Sequence, residues 1–365
     1  MASPFDALFN TEYLPEKLLH RDHELGFLSK HLNTEETLSH PMNILVHGSF
    51  GIGRTTLLCF FGQRELATFH RPIIRFQRKE PQEIVAEALS ALAPTSPLSA
   101  SLPEQWTLMK RLVRKIEVPL IFTFDDIDCN NIQLYGKFLQ ICKENKISTM
   151  ATAPRYFPRQ LKGDTSRFLD VSLELEPFSD HQFLDIVTQR VTEAFPQPLP
   201  AQATEFMSDL ICVLDFQRPA TIVELLQNLH PLLFNSIHIT ADMIRQACVN
   251  SHTLYYDFWG EHLSGLIDID ATTMLLIQAV GQYFVTNPGQ IYVKKSVLHS
   301  QFQQVSESIG LATSASQFSS ALNALLFQDL LLRSRYSSEN YFTLLPAEGY
   351  LEIVELLIGE YQIEP

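Results

Sequence analysis

Residues 43–56 read Asn43-Ile-Leu-Val-His-Gly-Ser-Phe-Gly-Ile-Gly-Arg-Thr-Thr56, with a glycine-rich segment after an apolar run. The spacing from Gly48 to Gly53 and Thr55 fits the phosphate-binding pattern G-x-x-x-x-G-K-[ST], except that Arg54 stands where lysine is usual. A guanidinium is planar and bulkier than an ammonium, so it does not simply replace lysine between two phosphates. The stretch therefore predicts a fold more firmly than it predicts an activity.

The segments on either side of the loop agree with this interpretation. Apolar residues 44–46 predict a strand that leads into the loop, and residues 55–61 predict the helix that leaves it. Backbone N–H groups and the helix dipole then converge on a phosphate. The predicted contacts are Gly48, Ser49, Phe50, Gly51, Ile52, Gly53, Arg54, Thr55 and Thr56. A glycine-rich turn without a ligand is the alternative.

A second motif lies at the end of a later apolar run. Residues 119–126 are nearly all apolar and end in two carboxylates, Asp125 and Asp126. Ligands of open parallel sheets collect at the carboxyl ends of strands, where an aspartate can hold Mg²⁺ against nucleotide phosphates. The sequence thus predicts a metal site at Thr55 and Asp125. Paired carboxylates that only cap a helix are the alternative.

Composition places limits on the function. The 365 residues carry a net charge of −14, with 45% hydrophobic and 19% charged residues, which is an ordinary globular balance. The acidic balance argues against extensive non-specific contact with nucleic acid. The five cysteines form no C-x-x-C pair, and the twelve histidines show no metal-ligand spacing. With no long apolar run and no signal-peptide pattern, we expect a soluble intracellular protein.

The order of patterns along the chain predicts three domains. Strand-like runs alternate with helical patterns from 41 to 147, helical patterns dominate from 181, and 196–200 is a Pro-rich connector. From 271, three helical patterns and a hairpin predict a winged helix. The predicted fold is an α/β P-loop domain (1–175), a helical lid (176–254) and an α+β winged-helix domain (255–365).

The motifs together resemble the AAA+ initiator family, which includes archaeal replication initiators and the origin recognition complex ATPases. Residues 13–25 are similar to the family's P-x-x-L-x-H-R-E-x-E-L segment, and residues 124–128, Phe-Asp-Asp-Ile-Asp, to the D-E-I-D of Walker B. Residues 177–179 resemble the lid entry, and 239–247 its closing helix. The resemblance implies ATP or ADP as ligand with Mg²⁺. It also implies adenine contacts from Leu14, Pro15 and Arg21.

The departures from the family pattern fall on hydrolysis. Arg54 replaces lysine, and Asp126 replaces the glutamate that would polarise the attacking water, so these two are the predicted catalytic positions. Thr152, or a neighbour, stands where a sensor asparagine is usual. In the lid, Gln217 or Arg218 aligns with the family's sensor arginine, and Arg218 is the predicted nucleotide contact.

The C-terminal patterns leave DNA binding open. The presumed recognition helix, residues 316–326, carries no Lys or Arg. The predicted DNA contacts are Lys294, Lys295, Gln317, Asn323, Arg333 and Arg335. Residues 265–345 carry four cations, Lys294, Lys295, Arg333 and Arg335, against five acidic residues, Asp268, Asp270, Glu307, Asp329 and Glu339. This balance gives the segment no basic surface of the kind that binds nucleic acid. A protein-binding winged helix fits the residues equally well.

Three functions fit these observations. The first is an ATP-binding initiator that contacts double-stranded origin DNA and works with replication proteins or other AAA+ subunits. The second is a non-hydrolysing scaffold or interaction subunit, and the third a P-loop signalling or transcriptional regulator. The resemblance favours the first, with impaired hydrolysis. We expect no membrane partner, and a cytoplasmic, nucleoid-associated location in a prokaryote or a nuclear one in a eukaryote.

Overall fold

The computed structural model describes most of the chain and forms two compact units, residues 12–178 and residues 1–11 with 179–365. The described residues are 8–9, 13–32, 40–64, 73–75, 79–94, 101–115, 120–161, 164–195, 197–215, 217–233, 239–251 and 269–361. The sequence also predicts a linker at residues 255–270, of which 255–268 lie outside the described residues. The three-domain division predicted from the sequence remains a prediction.

The first unit is built on a five-stranded parallel sheet in the order β2-β3-β4-β1-β5. Its strands are β1 (Asn43–Gly48), β2 (Ile73–Arg75), β3 (Ile121–Asp125), β4 (Ser148–Pro154) and β5 (Val171–Leu175). Every residue of β1 and β3 is buried, as expected for parallel strands with both faces covered. The loop after β1 therefore lies at the carboxyl edge of the sheet, next to the end of β4.

Helices connect these strands. They are α1 (Asp22–Leu32), α2 (Arg54–Arg64), α3 (Pro81–Leu92), α4 (Leu102–Val113), α5 (Ile132–Glu144) and α6 (Asp164–Arg167). The core beside β3 is aromatic: Phe138 of α5 lies 5.1 Å, centroid to centroid, from both Phe124 and Trp106. Such edge-to-face and tilted pairs add to the burial of apolar area. This packing fixes the end of β3, where the two carboxylates follow.

The second unit begins with helices and ends with a mixed module. The helices are α7 (Asp180–Ala194), α8 (Ala201–Asp215), α9 (Pro219–Leu233) and α10 (Ala241–Val249). The module contains α11 (Ala271–Thr286), β6 (Val293–Lys294), α12 (Lys295–Ser308), α13 (Ala315–Phe327), β7 (Leu332–Arg333), β8 (Asn340–Phe342) and α14 (Ala347–Tyr361). Its three strands pair antiparallel in the order β6-β8-β7.

Side-chain caps start several of these helices where the sequence changes pattern. Thr240, predicted as an N-cap, accepts a hydrogen bond of 3.2 Å from the backbone N–H of Met243. Ser179 before α7 and Ser314 before α13 each form a capping box with a glutamine three residues on. The predicted helix starts thus rest on local hydrogen bonds.

The structure also contains elements that the sequence patterns did not predict. The strand β5 is an edge strand that is only partly buried, so its residues lack a long apolar run. The helix α14 was also missed, and Tyr350, Ile353 and Leu357 of this helix belong to the core of the C-terminal module. Three helices and a hairpin are present as predicted, with β6 and α14 added to them.

We predict that Gly281 is required where α11 packs against α14. A Cβ at this position would lie 2.9 Å from Leu351 Cδ2 and 3.0 Å from Tyr350 Cβ, so Gly281→Ala should destabilise the chain by about 1–3 kcal/mol. The same substitution at Gly349 in α14 meets only atoms 3.7 Å or more away. It should stabilise the chain by about 0.5–1 kcal/mol. Urea unfolding of both variants measures the difference, and equal effects would contradict the predicted crowding.

Candidate functional site

The loop between β1 and α2 has a backbone that only glycine adopts easily. Gly51 has φ of 74° and Gly53 has φ of 94°, both in the left-handed region. A Cβ on Gly48 would lie 3.1 Å from both Ile52 Cγ2 and Leu175 Cβ, so the loop folds closely over the end of β5. Alternation of left- and right-handed residues turns successive N–H groups toward one point, which is the geometry of an anion nest.

The hydroxyl of Thr55 and the carboxylate of Asp125 lie together as the sequence predicted. Thr55 Oγ1 donates to Asp125 Oδ1 at 3.0 Å, and Thr152 Oγ1 donates to the same oxygen at 2.7 Å. Thr152 Oγ1 in turn accepts from the backbone N–H of Asp126 at 2.8 Å. Asp125 and Thr152 are buried, whereas Thr55 is exposed. These contacts join α2, β3 and β4 around one carboxylate.

Arg54 and Asp126, two of the departures from the family pattern, form an ion pair. Arg54 Nη2 lies 3.1 Å from Asp126 Oδ1, with side chains that are 8% and 22% exposed. Asp126 adopts φ of 54°, which turns the chain sharply after β3. Among the described residues no group bonds Arg54 Nη1, although this atom is buried. The guanidinium thus has one occupied and one free donor face.

Burial disfavours the charged forms of both Arg54 and Asp126. It lowers the pKa of Arg54, against the attraction of Asp126 and Asp125. It also raises the pKa of Asp126, an effect that Arg54 opposes and that Asp125 and Asp128 reinforce. Arg54 is thus attracted by two carboxylates, and Asp128 adds a third negative charge beside Asp126. Such a site gains from an added divalent cation beside the carboxylates and from an anion at the free guanidinium face.

Arg21 binds the backbone of the loop through its guanidinium. Its guanidinium donates to the carbonyls of Ile52, at 3.4 Å, and Glu176, at 3.2 Å, and pairs with Glu24 at 2.8 Å. The ring of Phe178 lies 4.0 Å from Arg21 Cζ. These contacts occupy Arg21 with the protein itself. Of the other two predicted adenine contacts, Pro15 is buried and Leu14 half-buried, and their contact with adenine remains a prediction.

His47 is a residue of the site that the sequence did not predict. It precedes Gly48 at the end of β1, is buried, and has no partner for Nδ1 within the part of the chain that is described. Burial lowers its pKa most. The charges of Arg155 and Arg54 lower the pKa further, and that of Glu174 raises it. Burial thus favours the neutral imidazole. The place of His47 in the site follows from the burial of β1 and the strand order, which the local sequence does not show.

The residues present fit a magnesium nucleotide. The glycine-dependent loop supplies backbone N–H groups, Arg54 supplies a buried donor without a partner, and Thr55 with Asp125 supplies oxygen ligands of the kind that Mg²⁺ takes. Ser49 and Phe50 are exposed on the loop, and Thr56 is half-buried on α2. All of these residues lie in the first unit.

The predicted sensor arginine lies in the second unit. Arg218 Nη1 pairs with Asp215 Oδ1 at 3.0 Å, across the turn between α8 and α9. Its neighbour Gln217, the other aligned residue, has φ of 62° and donates through Nε2 to Asp180 Oδ1. Both side chains thus make contacts inside their own unit. The role of Arg218 in nucleotide binding remains a prediction.

The C-terminal hairpin holds the two predicted DNA-contacting arginines in different ways. Arg335 pairs with Asp180 of α7 at 3.0 Å. Arg333 is exposed and lies beside Tyr341, with Nη2 3.4 Å from the tyrosine hydroxyl. Arg335 is therefore committed to a helix of its own unit, whereas the hydrogen bond of Arg333 to Tyr341 is long and weak.

Asp209 of α8 anchors this hairpin. Its carboxylate is buried, accepting hydrogen bonds of 2.9 Å from the Tyr292 hydroxyl and from the backbone N–H of Arg335. Ser208 and the Tyr336 hydroxyl share a hydrogen bond of 2.6 Å. Burial raises the pKa of Asp209, and the hydrogen bonds it accepts oppose that rise. A buried polar group with its partners in place gives the hairpin a defined position on α8.

The remaining predicted DNA contacts are dispersed. Lys294 and Lys295 are exposed where β6 meets α12. Gln317 accepts the backbone N–H of Ser314 in the capping box, at 2.8 Å, so its amide oxygen already serves α13. Asn323 is exposed farther along α13. Among the described residues, no helix is long and apolar enough to cross a membrane.

No protein-family model and no curated protein matches the sequence. Solved structures do match. The chain is similar to Cdc6p from Pyrobaculum aerophilum, with a TM-score of 0.82, 17% identity and 98% of each chain covered. It is also similar to the Aeropyrum pernix ORC2 protein, solved as ADPNP-ADP complexes (0.58, 15%, 98% of each chain).

The chain is likewise similar to a protein in the structure of Drosophila ORC bound to DNA, with a TM-score of 0.54, 14% identity and coverage of 96% of this chain and 90% of that one. At these identities the matches show the fold. The predicted α/β P-loop fold of the N-terminal part is thereby confirmed, and the chain shares the fold of the Cdc6p and ORC structures.

Proposed function

We propose that this chain is a replication-initiator-like AAA+ protein that binds ATP or ADP with Mg²⁺ and hydrolyses ATP slowly or not at all. One observation carries the proposal. Thr55 and Asp125, the predicted metal ligands, are hydrogen-bonded to each other, while Arg54 and Asp126, the predicted catalytic positions, form an ion pair. Binding and hydrolysis are thus separated in one site.

Binding would use the parts of the site that need no lysine. The backbone N–H groups of the loop and the α2 N-terminus favour phosphate. Thr55 and Asp125 would hold Mg²⁺, and the free Nη1 face of Arg54 points to an anion as its partner. The metal would supply charge neutralisation of the phosphates, which is its general part in nucleotide sites.

Hydrolysis would suffer because both groups are committed. A carboxylate that orients water must be free to accept its proton or hydrogen bond. Asp126 is shorter than glutamate by a methylene and already accepts a charge-assisted bond from Arg54. Arg54 is equally drawn away from the phosphates that the family's lysine bridges. Because each side chain holds the other, each is kept from its role in the phosphoryl-transfer step.

The process is proposed from the fold and from the printed names of its neighbours. The similar proteins are named Cdc6 and ORC, and one Aeropyrum pernix ORC1 structure is a complex with DNA. We place this chain in replication initiation, with double-stranded DNA and other AAA+ or replication proteins as partners. The predicted winged-helix module would make the DNA contact.

One observation favours an interaction subunit as the second candidate function. The helix α13 has no Lys or Arg, and Arg335 is paired with Asp180. The free cations of the module are few, so its contribution to DNA affinity would be small. A chain that binds nucleotide without turnover and contributes an uncharged helix would serve as a scaffold in a larger assembly.

Nucleotide binding is predicted to depend on the Thr55 hydroxyl only when metal is present. Thr55→Ala removes a ligand of Mg²⁺ and should weaken binding of MgADP at least tenfold, while Thr55→Ser keeps the hydroxyl and should bind like the unchanged chain. Calorimetric titration with Mg²⁺ and with a chelator separates the two conditions. In chelator, all three proteins should bind alike. Absence of binding to the unchanged chain at millimolar nucleotide would overturn the proposal.

Hydrolysis is predicted to return only when both departures are reversed. Turnover of the unchanged chain should lie below about 1 s⁻¹, and Arg54→Lys with Asp126→Glu should raise it. Either change alone should do little, because groups that act as a unit are not additive. Phosphate release measures the rate, with Arg54→Lys and Asp126→Asn together as an inactive control. A turnover of the unchanged chain on the order of 1 s⁻¹ or more would contradict this prediction.

DNA binding is predicted to be weak and to depend on the cations outside the ion pair with Asp180. With Lys294, Lys295 and Arg333 as contacts, the slope of log K against log salt should be no steeper than about −3. Arg333→Ala should reduce it by about 1, and Arg335→Ala should change it less. Fluorescence anisotropy over a salt series gives these slopes. Tight binding by a Lys294, Lys295 and Arg333 triple alanine variant would show that DNA is held elsewhere.

A further inference from the structure

The ion pair between Arg54 and Asp126 spans the space between the start of α2 and the end of β3. Arg54 is the first residue of α2, and Asp126 directly follows β3. In phosphate-binding loops the residue at the position of Arg54 reaches the β- and γ-phosphates. The acid that orients the attacking water faces the terminal phosphate. The two side chains that meet at 3.1 Å thus belong to the terminal-phosphate end of the site.

At the other end of the site, Ser49, Phe50 and Thr55 are exposed. Thr55 is exposed beside Asp125, and the glycine loop carries its positive φ angles at Gly51 and Gly53. A ligand with two phosphates would use the loop, the α2 N-terminus and the metal pair. It would also meet the free Nη1 face of Arg54. None of these contacts requires Asp126 to release the guanidinium.

A third phosphate meets a different situation. With Nη1 taken by the second phosphate, a third phosphate can bind Arg54 only by drawing Nη2 from Asp126, which then stands without its partner beside a phosphate of like charge. Asp125 and Asp128 already act on Asp126 in the same unfavourable direction. A partly buried carboxylate that loses its cation is strongly disfavoured. The ion pair therefore selects against the triphosphate while it leaves the diphosphate site intact.

We propose that the Arg54–Asp126 ion pair closes the terminal-phosphate end of the loop, so that the preferred ligand is a nucleoside diphosphate with Mg²⁺. This inference rests on the proposed function, because it needs the loop to bind nucleotide. It goes beyond impaired hydrolysis: the chain would stay in one nucleotide state even when triphosphate is present. Asp126 acts here as a specificity-determining residue.

The test compares MgADP with the magnesium complex of the β,γ-imido analogue of ATP, using calorimetry on the full chain. We expect MgADP to bind the unchanged chain at least tenfold more tightly. Asp126→Asn keeps the shape and suits the positive φ, but it removes the carboxylate charge. The variant should tighten the analogue and bring the two affinities within about threefold.

A matched control separates the ion pair from negative charge in general. Asp128→Asn removes the same charge two residues away, and asparagine can still accept the hydrogen bond of 3.0 Å from the Asn131 N–H. This variant should keep the tenfold preference. If Asp128→Asn relieves the preference as much as Asp126→Asn, general repulsion explains it and the inference fails.

The outcomes distinguish this inference from the proposed function. An analogue that binds the unchanged chain as tightly as MgADP overturns the inference and leaves nucleotide binding standing. A preference that persists in Asp126→Asn also overturns it. If neither nucleotide binds the unchanged chain, the proposed function itself fails. Should Asp126→Asn not fold, the affinity ratio of the unchanged chain decides the matter alone.

Discussion

The buried carboxylate of Asp125 is the contact on which the site depends. It accepts the hydroxyls of Thr55 and Thr152 on a single oxygen, and so ties α2 and β4 to the end of β3. The same threonine of β4 accepts the N–H of Asp126 and fixes the sharp turn there. A buried carboxylate is tolerable because its hydrogen bonds are made. The position of Asp126 opposite Arg54 follows from this arrangement.

The ion pair gives the two sequence departures a common physical meaning. Taken separately, arginine for lysine and aspartate for glutamate are two losses of catalytic geometry. Together they form a charge-assisted bond in a site where burial disfavours both charges. In our proposal the loop therefore keeps its affinity for phosphate and metal, while the ion pair closes its reactive end. In the second unit, the Asp209 network similarly commits the hairpin to α8 and Arg335 to α7.

Local patterns were sufficient for part of this account. The loop, the strand before it and the pair Thr55 and Asp125 could be predicted, because a phosphate loop and an apolar strand ending in acids are read over a few residues. The contact between Arg54 and Asp126 could not, since it joins positions 72 residues apart and depends on the strand order. The partly buried edge strand β5 gave too weak an apolar signal. The pairing of Arg335 with Asp180 is equally non-local, at 155 residues.

The central claim is that Arg54 and Asp126 are energetically coupled in the folded chain. A double-mutant cycle measures this coupling directly, from urea unfolding of the unchanged chain, Arg54→Ala, Asp126→Ala and the double variant without nucleotide. For a pair that is largely buried and well placed, we expect a coupling free energy of about 1–3 kcal/mol that favours the pair. A coupling of less than about 0.5 kcal/mol, the limit of additivity for independent sites, would contradict the account.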